Sequence, residues 1–212
     1  MKPILSVITF LLLATWNFSG FCTDLKTGDL VFQAEGTSDF SNAIASATAS
    51  EDSLKIIHAG IIEMDERGTP QVIEASPESG VRIISLEKFL EDSPQINGMP
   101  GVVVKRLNID YSIDDAISLA KSHLGEEYDW WYLPDNGKMY CSELIYESYL
   151  TPEGEHVFES KPMNFRASDG SMPEFWTKLF EKLGQKVPEG VLGTNPNDLS
   201  KDFRLTEVAR FF

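Results

Sequence analysis

A chain of 212 residues can bury one real core and is short for two domains. With 42% hydrophobic and 24% charged residues its composition is that of a globular protein. A net charge of −15 with no basic block excludes nucleic acid and anionic lipid headgroups as partners.

Lys2 precedes an apolar run, residues 4–14, broken only by Ser6 and Thr9, and the small residues Ser19 and Gly20 follow. This layout reads as a secretory signal peptide, too short for a persuasive membrane span. The expectation is a signal peptide over residues 1–22 and a single domain over 23–212. The protein is expected to be exported, periplasmic or secreted, with no stable transmembrane span after cleavage. Phe21 is too bulky to precede a lipidated Cys22; an uncleaved anchor stays open. Cleavage after Cys22 leaves Cys141 with no internal disulfide partner, and a lone thiol in an oxidising compartment marks itself as reactive. Nothing demands a second subunit, so a monomer is expected.

Residues 27–33 read as a turn and a short strand. The Ser/Ala/Thr-rich stretch 36–53 reads as either a weak helix or a loop with a helical turn near 42–47. Ile56-Ile57-His58-Ala59-Gly60-Ile61-Ile62 is a β-branched strand, residues 65–70 a turn, and 71–75 the returning strand of a hairpin. With its midpoint near Glu66, the hairpin sets His58 and Glu74 opposite each other on one face, Cβ atoms about 5 Å apart. A one-residue slip would part them. Residues 81–84 continue the sheet, 85–90 form a short capped helix, 94–100 a loop and 102–107 another strand. Ile113, Ala116, Ile117, Ala120 and Leu124 recur at helical spacing, with Ser112 and Asp115 capping the start and Gly125 marking the exit. His123 at that helix's end reads as a surface residue.

The aromatic run Tyr128-Asp129-Trp130-Trp131-Tyr132 and a loop at Pro134, Asn136 and Gly137 lead into Cys141. Leu144, Ile145 and Ser148 fall on the face of the sulfur if a helix starts there, and Pro152 closes it. Cys141 then sits at or near a helix N-terminus, where free N–H groups and the macrodipole favour a thiolate. Residues 151–171 are loop-rich with a strand at 156–158. Residues 173–184 form an amphipathic helix whose Phe175, Trp176 and Phe180 either pack the core or line a substrate groove. A last short strand spans 203–208.

Three histidines, no His-Glu-x-x-His and no cysteine pair at zinc spacing point away from metal catalysis, and no phosphate-binding glycine loop or Gly-x-Ser-x-Gly elbow is present. Neither a cofactor nor a metal is expected. What remains is a nucleophile, Cys141, a base, His58, and a carboxylate to orient it, Glu74. The Cys141 backbone N–H and a tyrosine hydroxyl are available for an oxyanion.

Gly28-Asp29-Leu30-Val31-Phe32, His58-Ala59-Gly60-Ile61, Val72-Ile73-Glu74-Ala75, Gly125, Tyr128-Asp129 and Tyr140-Cys141-Ser142-Glu143-Leu144 together resemble the permuted NlpC/P60 group of papain-like enzymes. The YiiX/YaeF-like branch, peptidase family C92, is the nearest within it. The histidine half precedes the cysteine helix, as circular permutation requires. Val187-Pro188-Glu189-Gly190 and Pro196-Asn197-Asp198-Leu199 resemble that branch too. The resemblance implies an α+β, circularly permuted papain-like (NlpC/P60) fold with an antiparallel sheet packed against the nucleophile helix. It carries the roles of nucleophile to Cys141, base to His58, third polar residue to Glu74 and oxyanion donor to Tyr128. Tyr140 departs from the aspartate that typical NlpC/P60 members hold before the Cys-Ser pair, so peptidoglycan endopeptidases are a poor guide to the substrate.

The reading is an exported cysteine hydrolase, an amidase or peptidase, forming an acyl-thioester on a cell-envelope peptide, lipid or N-acyl small-molecule substrate. Two alternatives stay open. A lipid-directed thiol acyltransferase or lipase would line an apolar groove with Trp130, Trp131 and Trp176. A binding protein on a catalytically silent scaffold would not need all three catalytic residue types.

Overall fold

The computed structural model describes residues 24–48 and 54–212. The expected signal peptide and Cys22 lie outside the described residues. In chain order the described elements are β1 (Leu30–Ala34), α1 (Asp39–Thr48), β2 (Ile56–Met64), β3 (Pro70–Ser76), β4 (Gly80–Ser85), α2 (Leu86–Glu91), β5 (Gln95–Ile96), β6 (Met99–Pro100), β7 (Val102–Leu107), α3 (Ile113–Ser122), α4 (Cys141–Ser148), β8 (Lys161–Pro162), α5 (Glu174–Leu183), β9 (Leu192–Gly193), α6 (Pro196–Ser200) and β10 (Leu205–Arg210).

Six strands form one antiparallel sheet in the order β10-β7-β1-β2-β3-β4. Its central strands are apolar at successive positions because both faces are covered. Leu30, Phe32, Ile61, Ile73 and Val103 join a core with Leu144 and Ile145 of α4 and Trp176 of α5. Val31, Ile62, Val72, Val102 and Val104 join a second core with Leu86, Phe89 and Leu90 of α2 and Phe211. Each such side chain, buried in full, contributes about 1.5–3 kcal/mol. The fold is α+β, with an antiparallel sheet against the Cys141 helix.

Local chemistry sets most boundaries. Ser85 Oγ accepts from the Lys88 N–H and Ser112 Oγ from the Asp115 N–H, so both predicted caps form. The 36–53 stretch resolves to the helix α1, up to its last described residue, Thr48. Helix α5 ends on Gly184 in the left-handed conformation, φ 65°.

Several expectations are corrected. The β2–β3 hairpin pairs Ile61 with Ile73 and Met64 with Pro70, two residues from the pairing that a midpoint at Glu66 requires. The turn explains the slip: Asp65 Oδ1 accepts from the N–H groups of Arg67 and Thr69, and Gly68 takes φ 76°, centring the loop on Arg67. A shift of two preserves the face, so His58 and Glu74 remain neighbours, on a diagonal instead of directly opposed. Residues 94–100, expected as loop, hold the ribbon β5–β6, turned by Asn97 and Gly98 at φ 52° and 79°. Ile113 and Leu124, the ends of the expected helical stripe, are 40% and 42% exposed, the second lying beyond the end of α3. No strand spans 156–158, only a single bridge from Leu150 to His156. Helix α4 stops at Ser148, before Pro152, because Tyr149 turns extended at φ −97°, ψ 97°. The last strand runs two residues later than expected, after a turn in which Asp202 holds the Arg204 guanidinium.

Candidate active site

Cys141 is the first residue of α4, preceded by Tyr140 in an extended conformation, so its side chain emerges where the helix leaves its first N–H groups unpaired. Two anchors hold that helix. At its far end the Tyr149 hydroxyl donates to Gly28 O at 2.9 Å. Gly28 sits at φ 90°, and a Cβ there would come within 2.8 Å of the Tyr111 hydroxyl. Asp29 next to it is buried and accepts from Arg106 Nε at 2.7 Å and Nη2 at 2.9 Å. The Gly-Asp pair is thus the socket of the Cys141 helix.

At its near end, the buried Glu143 accepts from the Tyr140 N–H at 3.3 Å. Burial and the neighbouring Asp129 charge push the Glu143 carboxyl up to about 8. Ser142 accepts from Thr194 Oγ1 at 3.0 Å, and Tyr140 Oη accepts from the Thr194 N–H at 3.0 Å.

His58 comes from β2, where it pairs with Gln33 of β1. The N–H of Ile56, at the start of that strand, donates to Asn197 Oδ1 at 3.3 Å, and Asn197 Nδ2 donates to Thr48 O at 2.7 Å. The C-terminal Pro196-Asn197 motif therefore clamps the His58 strand to α1.

His58 Nε2 and Glu74 Oε2 are 2.6 Å apart, and the imidazole lies over the Phe89 ring with centroids 5.9 Å apart. Extending the β2–β3 register sets Gly60 beside Glu74. A Cβ on Gly60 would fall 3.5 Å from Glu74 Cβ and 2.6 Å from Val72 Cγ1, so the missing side chain leaves the space that the diagonal contact uses. Burial pulls the His58 pKa down, but hydrogen bonding and charge from Cys141 and Glu74 outweigh it and raise the pKa from 6.5 to about 10. Burial would raise the Glu74 pKa; His58 and Arg82 together hold it below the usual carboxylate range.

Tyr128, Tyr132 and Tyr140 line a narrow slot of about 60 Å³ beside Cys141, together with Ile44, Phe165 and Trp176. The Tyr128 and Tyr132 hydroxyls are 3.5 Å apart. Burial pushes both well above the usual tyrosine range, so both keep their protons. Tyr132 holds φ 53°, a strained value for a non-glycine residue at the wall of a site. The slot shares Ala47, Thr48, Met163, Asn164, Thr194 and Asn195 with an adjoining groove of about 490 Å³. Trp130 packs on Tyr128 and Trp131 lies against Lys138, and neither lines the slot; of the three tryptophans weighed as groove walls, Trp176 alone does.

Of the expected site residues, His58 and Glu74 are hydrogen-bonded, Cys141 acts on the His58 imidazole, and Tyr128 lines the slot beside Cys141. Sequence reasoning missed Arg82, Tyr132 and Thr194. Arg82 alone left a usable signal, since it stands as far after Glu78 as Glu74 stands before it, across a tight turn.

An antiparallel sheet presenting a histidine, a carboxylate and a cysteine at a helix start, with the histidine strand first, defines a permuted papain-like protein. Residues 24–209 match the permuted papain-like amidase enzymes of the YaeF/YiiX, C92 family, and the chain belongs to that family. It is 28% identical to the uncharacterized protein YiiX of Escherichia coli K12, over 99% of this chain and 96% of that protein. It superposes with a TM-score of 0.69 on a crystal structure of the metalloprotein YiiX from Escherichia coli O157:H7, at 28% identity, covering 87% of this chain and 97% of that one. Among the described residues here, no three His, Cys, Asp or Glu side chains gather to hold a metal ion. No helix among them is long and apolar enough to cross a membrane.

Proposed function

We propose that this chain is an exported cysteine amidase that works through Cys141, His58 and Glu74. The observation that carries this reading is the buried His58–Glu74 pair, Nε2 to Oε2 at 2.6 Å, with Cys141 acting on the same imidazole. The Cys141 thiolate attacks the amide carbonyl, and the Tyr128 hydroxyl and the Cys141 N–H receive the oxyanion. The His58 imidazolium gives its proton to the departing amine as the C–N bond breaks, leaving an acyl-thioester. His58, now neutral, takes a proton from water as it attacks that thioester, and the acid leaves with Cys141 restored. Glu74 keeps the ring oriented and steadies its charge throughout. The substrate is an envelope peptide or N-acyl compound. The apolar slot wall of Ile44, Met163, Phe165 and Trp176 favours, as a second reading, acyl transfer from lipid to an acceptor other than water.

The test is thiol chemistry. Cys141 is expected to react with iodoacetamide at neutral pH at a rate that falls about tenfold or more in His58→Ala. Mass spectrometry of an acyl adduct trapped on Cys141 from envelope extract then separates a peptide stem from an acyl chain. A thiol that resists alkylation and ignores His58→Ala would end the enzyme reading.

A further inference from the structure

Resting on the catalytic reading above, we propose that Arg82 is a positioning residue of this site: it keeps the Glu74 carboxylate ionised and turned toward His58, and acts on Cys141 only through those two side chains. Glu74 and Arg82 are directly paired across β3 and β4. Arg82 Nε and Nη2 both reach Glu74 Oε1, at 2.8 and 2.7 Å, and Glu74 Oε2 faces His58 Nε2 at 2.6 Å. Each carboxylate oxygen therefore has a separate task. With Oε1 gripped by a planar fork, the carboxylate cannot swing about its last bond, and Oε2 is fixed as the acceptor for the Nε2–H of the ring. That leaves Nδ1 for the thiol.

Glu74 is 3% exposed, and a carboxylate so buried is retained in its charged form only when paired. His58 alone is a poor guarantor, because it loses its own charge in each turnover. Arg82 does not: its guanidinium stays charged whatever the imidazole carries. Its side chain is 31% exposed and its remaining contact is Nη1 to Ser79 Oγ at 3.3 Å, so it is anchored from the solvent side and outside both cores.

The experiment is the pH profile of Cys141 alkylation by iodoacetamide in the full chain, in wild type, Arg82→Met, Arg82→Lys, Glu74→Gln and the Glu74→Gln/Arg82→Met double variant, with circular dichroism to verify folding. Arg82→Met is expected to slow alkylation near pH 6 by about tenfold and to move the acid limb upward, since Glu74 then takes a proton more readily. Arg82→Lys should recover part of the loss. The loss should vanish when Arg82→Met is added to Glu74→Gln, a non-additivity that mere damage to the sheet would not produce. A folded Arg82→Met with the wild-type profile, or losses that add in the double variant, overturn the proposal while sparing the amidase reading. Wild-type alkylation indifferent to His58→Ala overturns both. Should Arg82→Met not fold, Arg82→Gln takes its place in the same cycle.

Discussion

At the scale of single residues, the Cys141 helix begins with a conflict. Glu143 completes the first turn by accepting the Tyr140 N–H, yet burial and Asp129 raise its carboxyl from 4.5 to about 8. A carboxyl raised in the folded state holds its proton more tightly there than in the unfolded chain. Its contribution is therefore favourable at pH 4 and is lost as pH climbs from 4.5 to about 8. Glu143→Gln keeps an acceptor for Tyr140 and removes the titration. It is expected to raise the melting temperature by a few degrees at pH 9, a gain on the order of 2 kcal/mol, and by little at pH 4.5. Thermal melts across that range decide it; an equal effect at both ends would assign the change to packing.

Elements show how the site was assembled and how far the sequence reveals it. The β2 strand and its hairpin were legible because a run of β-branched residues and a Gly-Pro-containing turn have few other readings. The pairing register was not, since it depends on Asp65 folding the loop with its side chain and Gly68 turning left-handed, which moves the centre by one residue. Parity alone survived that error, and parity was enough to keep His58 and Glu74 together. Helix α4 was legible from its periodicity and Trp176 as a groove wall, but Tyr132 and Thr194 in the same wall were not, because those residues arrive from segments far apart in the chain. The hairpin gives its own prediction. Gly60→Ala would set a Cβ 2.6 Å from Val72 Cγ1 and 3.1 Å from Ile73 O, and the backbone atom cannot yield. Destabilisation of about 1–3 kcal/mol is expected from urea midpoints. A shift under about 0.5 kcal/mol would mean that the strands part at no cost there.

For the whole molecule, the site is coupled to folding through protons. His58 titrates near 6.5 when unfolded and at about 10 when folded, so its bound proton stabilises the fold in full below 6.5 and is lost between 6.5 and 10. Wild type is expected to lose stability relative to His58→Ala across that window, read as a narrowing gap in denaturant midpoints; a constant gap would detach the imidazole from the folding equilibrium.

Asn197 carries a consequence in time. The first strand of the His58–Glu74 hairpin closes its leading N–H on an acceptor 141 residues further along the chain. The His58 strand is thus synthesised early and receives this bond late, when α6, the last of the described helices, arrives. While the polypeptide is still emerging, β1 alone holds the start of the His58 strand, through Ala34 beside Ile56 and the Glu35 N–H on Lys55 O. The surroundings of His58 are thus completed only by the last stretch of the chain to appear, through one side chain that bridges β2 and α1.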